Sequence, residues 1–116
     1  MFHGCVNLNC NLSHWTVNKC KYFDGMFLGC VNFDCDLSEW DVSRGQSFYC
    51  MFDGCKKFNS NLSRWDVSNG EDFTGMFSEC NNFNCDLSNW NVNKGIYFTH
   101  MFYDCSIKDE YKPKFK

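Results

Sequence analysis

Hydrophobic and polar positions along the chain recur every 25 residues, with no insertion or deletion. Met-Phe stands at 1–2, 26–27, 51–52, 76–77 and 101–102, opening four full units and a partial fifth. Six columns are apolar in all four units: Phe2/Phe27/Phe52/Phe77, Leu8/Phe33/Phe58/Phe83, Leu12/Leu37/Leu62/Leu87, Trp15/Trp40/Trp65/Trp90, Val17/Val42/Val67/Val92 and Phe23/Phe48/Phe73/Phe98. Other columns vary and are mostly polar, such as His14/Glu39/Arg64/Asn89 and Lys19/Arg44/Asn69/Lys94. A column that keeps its chemistry through four copies meets the same environment four times. No 25-residue unit buries six large side chains by itself, so the units are expected to stack and share a core as a solenoid. At about 1.5–3 kcal/mol per buried large side chain, six per coil offset much of the ordering entropy. Coils stacked about 4.8 Å apart would give a rod on the order of 20–25 Å long.

Within a unit, Leu12, Trp15 and Val17 point inward with polar residues between them, which predicts a short parallel strand or two, bent at Ser13. Phe23, Met26, Phe27 and Cys30 fall at i, i+3, i+4 and i+7, which predicts a short helix or 3₁₀ turn around each Met-Phe. Gly45, Gly70 and Gly95 share a column, which suggests a turn with positive φ. Cys20 in the same column shows that positive φ is not obligatory there. The expected fold is an α/β repeat solenoid of right-handed coils, each with a short parallel strand and a short helix or 3₁₀ turn. Its single domain spans 1–105, divided 1–25, 26–50, 51–75, 76–100 and a partial 101–105. Residues 106–116 break the pattern as a charged C-terminal tail or cap.

The repeated pattern MF-x-G-C-x-x-F-N-x-D-L-S-x-W-D-V-S resembles the BspA-like leucine-rich repeat family. Met51-Phe52, Cys55, Phe58, Asp36-Leu37-Ser38, Trp40-Asp41-Val42-Ser43 and their copies carry the likeness, over residues 1–105. The resemblance implies leucine-rich-repeat-like coils. It also implies kinship with bacterial surface proteins implicated in adhesion, and with multi-copy proteins of protists and large DNA viruses. The chain departs from the family at Gly45, Gly70 and Gly95, where an aliphatic residue is usual, and at Phe48, Phe73 and Phe98, where Met is common. The second cysteine column, Cys10/Cys35/Cys85, is a further departure.

Composition narrows the function classes. The chain is 44% apolar and 19% aromatic, with 8 Gly and 1 Pro, which excludes a disordered or collagenous chain. Net charge is 11 − 14 = −3, which argues against a basic nucleic-acid binder and a polybasic membrane patch. No apolar run reaches the roughly 18 residues of a membrane span. The first residues, Met1-Phe2-His3-Gly4-Cys5, lack the features of a secretory signal, which favours an intracellular setting, host cell or virion, over the cell surface that the family implies.

Ten cysteines read as a disulfide framework only if placement allows it. Five occupy one column (Cys5, Cys30, Cys55, Cys80, Cys105), three a second, and Cys20 and Cys50 stand apart. In-register side chains point the same way, and an odd column cannot pair fully within itself. Reduced thiols serving as small apolar fillers are therefore preferred to disulfides. Metal is the weakest reading, because Cys5-x4-Cys10 is looser than a zinc knuckle. The ladders Asn11/Asp36/Asn61/Asp86 and Thr16/Asp41/Asp66/Asn91 read as turn-forming side chains rather than a Ca²⁺ stripe. The Trp column fits core packing better than a stacking platform for sugars or bases. The sequons Asn11-Leu12-Ser13 and Asn61-Leu62-Ser63 lie beside core leucines in the expected strand and carry little weight.

His3, His14 and His100 lie in different columns and join no recurring catalytic set, so the chain reads as no enzyme. No cofactor is implied. The expected function is a repeat scaffold binding a protein partner through the variable stripe His14, Glu39, Arg64 and Asn89. The alternative is a cell-surface adhesin fragment binding matrix or carbohydrate. Met1 opens a repeat, which leaves room for end-to-end stacking or a longer array.

Overall fold

A computed structural model describes Leu12 and residues 15–115. Phe2, His3, Cys5, Leu8, Cys10, Asn11, Ser13 and His14 lie outside the described residues.

Each unit bonds to the next through one row of backbone groups. The N–H groups of Phe23, Gly25, Phe27 and Gly29 donate to the carbonyls of Ser47, Tyr49, Met51 and Asp53 at 2.7–2.9 Å. The same four positions donate one unit on, Phe48, Cys50, Phe52 and Gly54 to Asp72, Thr74, Met76 and Ser78. Phe73, Gly75, Phe77 and Glu79 repeat the row to Tyr97, Thr99, Met101 and Tyr103. The intervening N–H groups turn back locally: Met26, Leu28 and Cys30 donate to Phe23, Gly25 and Phe27. Successive N–H groups thus alternate between the neighbouring unit and their own turn. That alternation is not an α-helix, one of the two forms expected around Met-Phe, since an α-helix would direct every N–H along its own axis. The local bonds close three residues back, as in the 3₁₀ turn that is the other expected form. The segment is instead a run of tight turns, and among the described residues the one helix is the 3₁₀ turn Asp109–Tyr111.

The expected strand also sits elsewhere. Residues 37–42 form no bridge, and the parallel bridges run Tyr22↔Ser47↔Asp72↔Tyr97, one residue per unit. Positive φ follows soon after, within the bonded row: Gly25, Cys50, Gly75 and His100 adopt +59°, +50°, +62° and +56°. A second column does likewise at Gly29, Gly54, Glu79 and Asp104.

Gly45, Gly70 and Gly95 do not have positive φ. Their reason is space: a Cβ on Gly70 would stand 2.4 Å from Cζ of Phe73, and the others meet Phe48 and Phe98 as closely. Glycine at these three turns leaves room for that ring, and the first unit fits Cys20 there with Phe23 still buried and stacked on Phe48.

The apolar columns form the core. Phe23, Phe48, Phe73 and Phe98 stack with ring centroids 5.4–5.6 Å apart, and Phe27, Phe52, Phe77 and Phe102 at 5.6–5.7 Å. Phe33, Phe58 and Phe83 form a third stack, each packed within its unit on the Phe27-column ring at 4.1–4.4 Å. Trp40, Trp65 and Trp90 are buried, and each indole Nε1–H donates at 2.9 Å to the leucine carbonyl of the preceding unit, Leu12, Leu37 and Leu62. Trp15 differs, being 41% exposed. Val17 and Phe98, toward the two ends, are half-buried.

Candidate functional site

The variable stripe flanks the buried Trp column. Glu39, Arg64 and Asn89 are exposed, each immediately before Trp40, Trp65 or Trp90. Their position follows from the local chain. In each unit an Asx turn precedes the stripe residue: Ser38, Ser63 and Ser88 N–H donate to Oδ1 of Asp36, Asn61 and Asp86 at 2.9–3.0 Å. Trp N–H then donates to the carbonyl of the leucine three residues back. The stripe residue sits on the outside of that double turn, its neighbours Leu and Trp directed inward. Glu39 and Arg64 line two adjoining shallow grooves of about 440 and 270 Å³. Asp34 and Asp36 border the first, Asp41 and Asp66 the second. Among the described residues, Arg64 is the one cation lining these two grooves. His14, the fourth member, lies outside the described residues.

The carboxylates around the stripe are structural. Asp36, Asp41 and Asp86 are held below the ordinary carboxylate range, first by the hydroxyls of Ser38, Ser43 and Ser88 and next by their backbone N–H groups. Ser43, Ser68 and Asn93 N–H donate to Oδ1 of Asp41, Asp66 and Asn91, completing a second row of Asx turns. Both polar ladders therefore serve backbone turns. No cluster of three or more metal-binding side chains occurs among the described residues.

A further ladder escaped the sequence reading. Asp34 Oδ1 accepts from Asn59 N–H at 2.8 Å, Asn59 Oδ1 from Asn84 N–H at 3.1 Å, and Asn84 Oδ1 from Lys108 N–H at 3.0 Å. The signal was present in the Asn/Asp identity of the column 9/34/59/84. The neighbouring cysteine column has a related role: Ser60 Oγ and Cys85 Sγ accept from the N–H of Leu37 and Leu62. That shared duty explains why Ser replaces Cys at position 60.

The first cysteine column is a hydrogen-bonding ladder. Cys55 and Cys80 are buried, and each Sγ–H donates at 3.0 Å to the phenylalanine carbonyl one unit back, Phe27 and Phe52. Burial pushes both thiols far above the ordinary value, with neighbouring thiols adding to it. Cys50 is raised to about 11, by burial first and then by Asp53 beside it. None of these thiols is poised as a nucleophile near neutral pH. No disulfide joins the eight described cysteines.

A second polar depression, about 340 Å³, is lined by Lys21, Arg44, Gln46, Asn69, Glu71 and Lys94. Lys94 Nζ donates to Asn69 Oδ1, and Asn69 Nδ2 to the Ser43 carbonyl, which fixes the middle of that face. No helix among the described residues is long and apolar enough to cross a membrane.

The sequence matches the family described as "Mycoplasma protein of unknown function, DUF285" over residues 1–113, and the chain belongs to that family, a repeat-type domain. No curated protein and no solved structure matches it.

Proposed function

We propose that this DUF285 family member is a non-enzymatic repeat scaffold that binds a protein partner through the stripe Glu39, Arg64 and Asn89, with His14 extending the row. The observation that carries this reading is a division of labour. The recurring Asp and Asn side chains beside the stripe hold turns, while Glu39, Arg64 and Asn89 are exposed and differ more widely from unit to unit. A face whose frame repeats and whose chemistry varies can recognise a partner of fixed sequence. The grooves at Glu39 and Arg64 give such a partner purchase. We further propose that the units are coils of a right-handed solenoid of the BspA-like leucine-rich repeat type. The bonding offsets, the parallel bridges and the in-register ring stacks support that reading.

The test is quantitative capture from host lysate with wild type, Glu39→Ala/Arg64→Ala and an equally conservative double variant on another face, Lys56→Ala/Lys57→Ala. The proposal expects a specific partner to be retained by the control and lost by the stripe variant, with both variants melting like wild type. Equal capture by all three would overturn it.

A further inference from the structure

We infer that the polar depression around Lys21, Arg44 and Lys94 is a docking surface for an acidic segment of a partner protein, laid extended across the units. It uses none of the stripe residues and does not depend on the stripe reading.

The depression lies between two outward columns, and packing sets their direction. A Cβ on Gly45 or Gly70 would stand 2.5 or 2.4 Å from Cζ of Phe48 or Phe73, so the position between the columns turns inward. Its neighbours on either side then turn outward, as alternate residues of an extended segment do. Arg44, Asn69, Glu71 and Lys94 are exposed, and Gln46 is half-buried. Gln46, Glu71 and Ile96 N–H donate to the carbonyls of Lys21, Gln46 and Glu71 at 2.7 Å, which keeps the second column in register.

Charge sets this face apart. The chain carries a net −3, and the stripe grooves are bordered by Asp34, Asp36, Asp41 and Asp66. The depression reverses that sign, with Lys21, Arg44 and Lys94 against Glu71. These cations have no ionic partner among the described residues, where Lys56 pairs with Glu79 and Lys112 with Asp109. One of them is also held in place. Lys94 Nζ donates to Asn69 Oδ1 at 3.1 Å, and Asn69 Nδ2 donates to the Ser43 carbonyl at 2.8 Å. The Lys94 head is thereby drawn back one unit, over the depression, with donors to spare.

The layout selects the ligand. Units stacked at strand spacing spread the three cations over about 10 Å, so no single small anion touches all of them. An extended peptide rises about 3.3 Å per residue and turns alternate side chains to one side, so acidic residues at every second position reach the row. Glu71 stands in the middle of the row. A continuous run of phosphates would meet its carboxylate with like charge, whereas a peptide meets it with a backbone N–H, which a carboxylate accepts well. Complementary charge of this kind fixes register and partner choice.

The probe is a labelled hexapeptide of alternating glutamate and serine, titrated with the full chain and read by fluorescence anisotropy. Binding is expected to saturate at one peptide per chain and to weaken as salt rises. Lys21→Gln/Arg44→Gln should weaken it about fivefold. Lys56→Gln/Lys57→Gln removes the same charge elsewhere and should leave it unchanged, as should the stripe variant Glu39→Ala/Arg64→Ala. Asn69→Ala keeps every charge but releases the Lys94 head, and should weaken binding about twofold. All variants should melt like wild type. Tripolyphosphate should displace the labelled peptide less readily than the unlabelled peptide does, and Glu71→Ala should improve tripolyphosphate without improving the peptide. The proposal is overturned if the peptide does not bind, if the Lys56/Lys57 control weakens binding as much as the Lys21/Arg44 pair, or if tripolyphosphate is the better competitor.

Discussion

The middle of the molecule and its ends are built from the same 25-residue pattern and come out differently. Trp40, Trp65 and Trp90 are each 4% exposed, whereas Trp15 is 41% exposed with the same residue at the same place in its unit. Phe23, Phe48 and Phe73 are fully buried, and Phe98 in the same column is not. Burial in this protein belongs to the junction between units and not to the unit. Stability is accordingly a sum over junctions, as in other repeat architectures. The contrast has a second side: the invariant positions make the junctions, and the stripe at Glu39, Arg64 and Asn89 is left out of them.

The sharpest way to break that comparison is to make one substitution in two places. Trp65→Ala removes a buried indole, its stack on Trp90 and its bond to the Leu37 carbonyl, and should cost about 3–5 kcal/mol. Trp15→Ala should cost much less. Equal losses in chemical denaturation would show that the junctions do not carry the stability.

Gly70→Ala comes next. Its Cβ would stand 2.4 Å from Phe73 Cζ, so the ring must shift, at an overpacking cost of about 1–3 kcal/mol. A wild-type melting curve would show that the ring has room to move. Ser60 tests the polar part of a junction. Ser60→Ala strands the Leu37 N–H at a buried site, for about 1–3 kcal/mol, while Ser60→Cys restores the acceptor that Cys85 supplies one unit on. The account expects the alanine variant to melt lower than the cysteine variant.

A smaller effect concerns pH. The carboxyls of Asp36, Asp41 and Asp86 are depressed in the folded state, so each contributes stability above the unfolded value of about 3.9. That contribution is lost as pH falls through the folded values. The melting temperature should fall over this acid window, and Ser38→Ala, Ser43→Ala and Ser88→Ala together should flatten the fall. The smallest effect is that of Arg64→Ala, within about ±0.5 kcal/mol of wild type. A large loss there would place the stripe inside the frame.

The comparison also marks what the sequence made legible. The period and the inward columns could be read directly, because Phe, Leu and Trp recurring at fixed spacing meet the same environment in the inner units. The exposed stripe was legible for the complementary reason. The backbone was not. Hydrophobic spacing around Phe23, Met26, Phe27 and Cys30 suits a helix, yet alternate N–H groups there bond to the next unit, and no side-chain pattern records where an N–H points. The positive-φ column was hidden because Cys50 and His100 adopt a conformation that Gly25 and Gly75 adopt more easily. The glycines that do recur, at 45, 70 and 95, answer to a ring rather than to φ. Cysteine looked like a small filler, and its thiol proton on the Phe27 and Phe52 carbonyls is a contact across 28 residues that only the stacked chain creates.

The central claim is that one row of backbone bonds joins each unit to the next, and that among the described residues its donors in the last unit, Phe98, His100, Phe102 and Asp104, find no acceptor. Amide hydrogen exchange, resolved by residue, reads that row directly. Phe48, Cys50, Phe52 and Gly54 should exchange slowly, as groups released only when a junction opens. His100 and Asp104, the same positions at the exposed edge, should exchange near the rate of an unfolded chain. Equal protection of the two sets, or fast exchange of the inner one, would contradict the account.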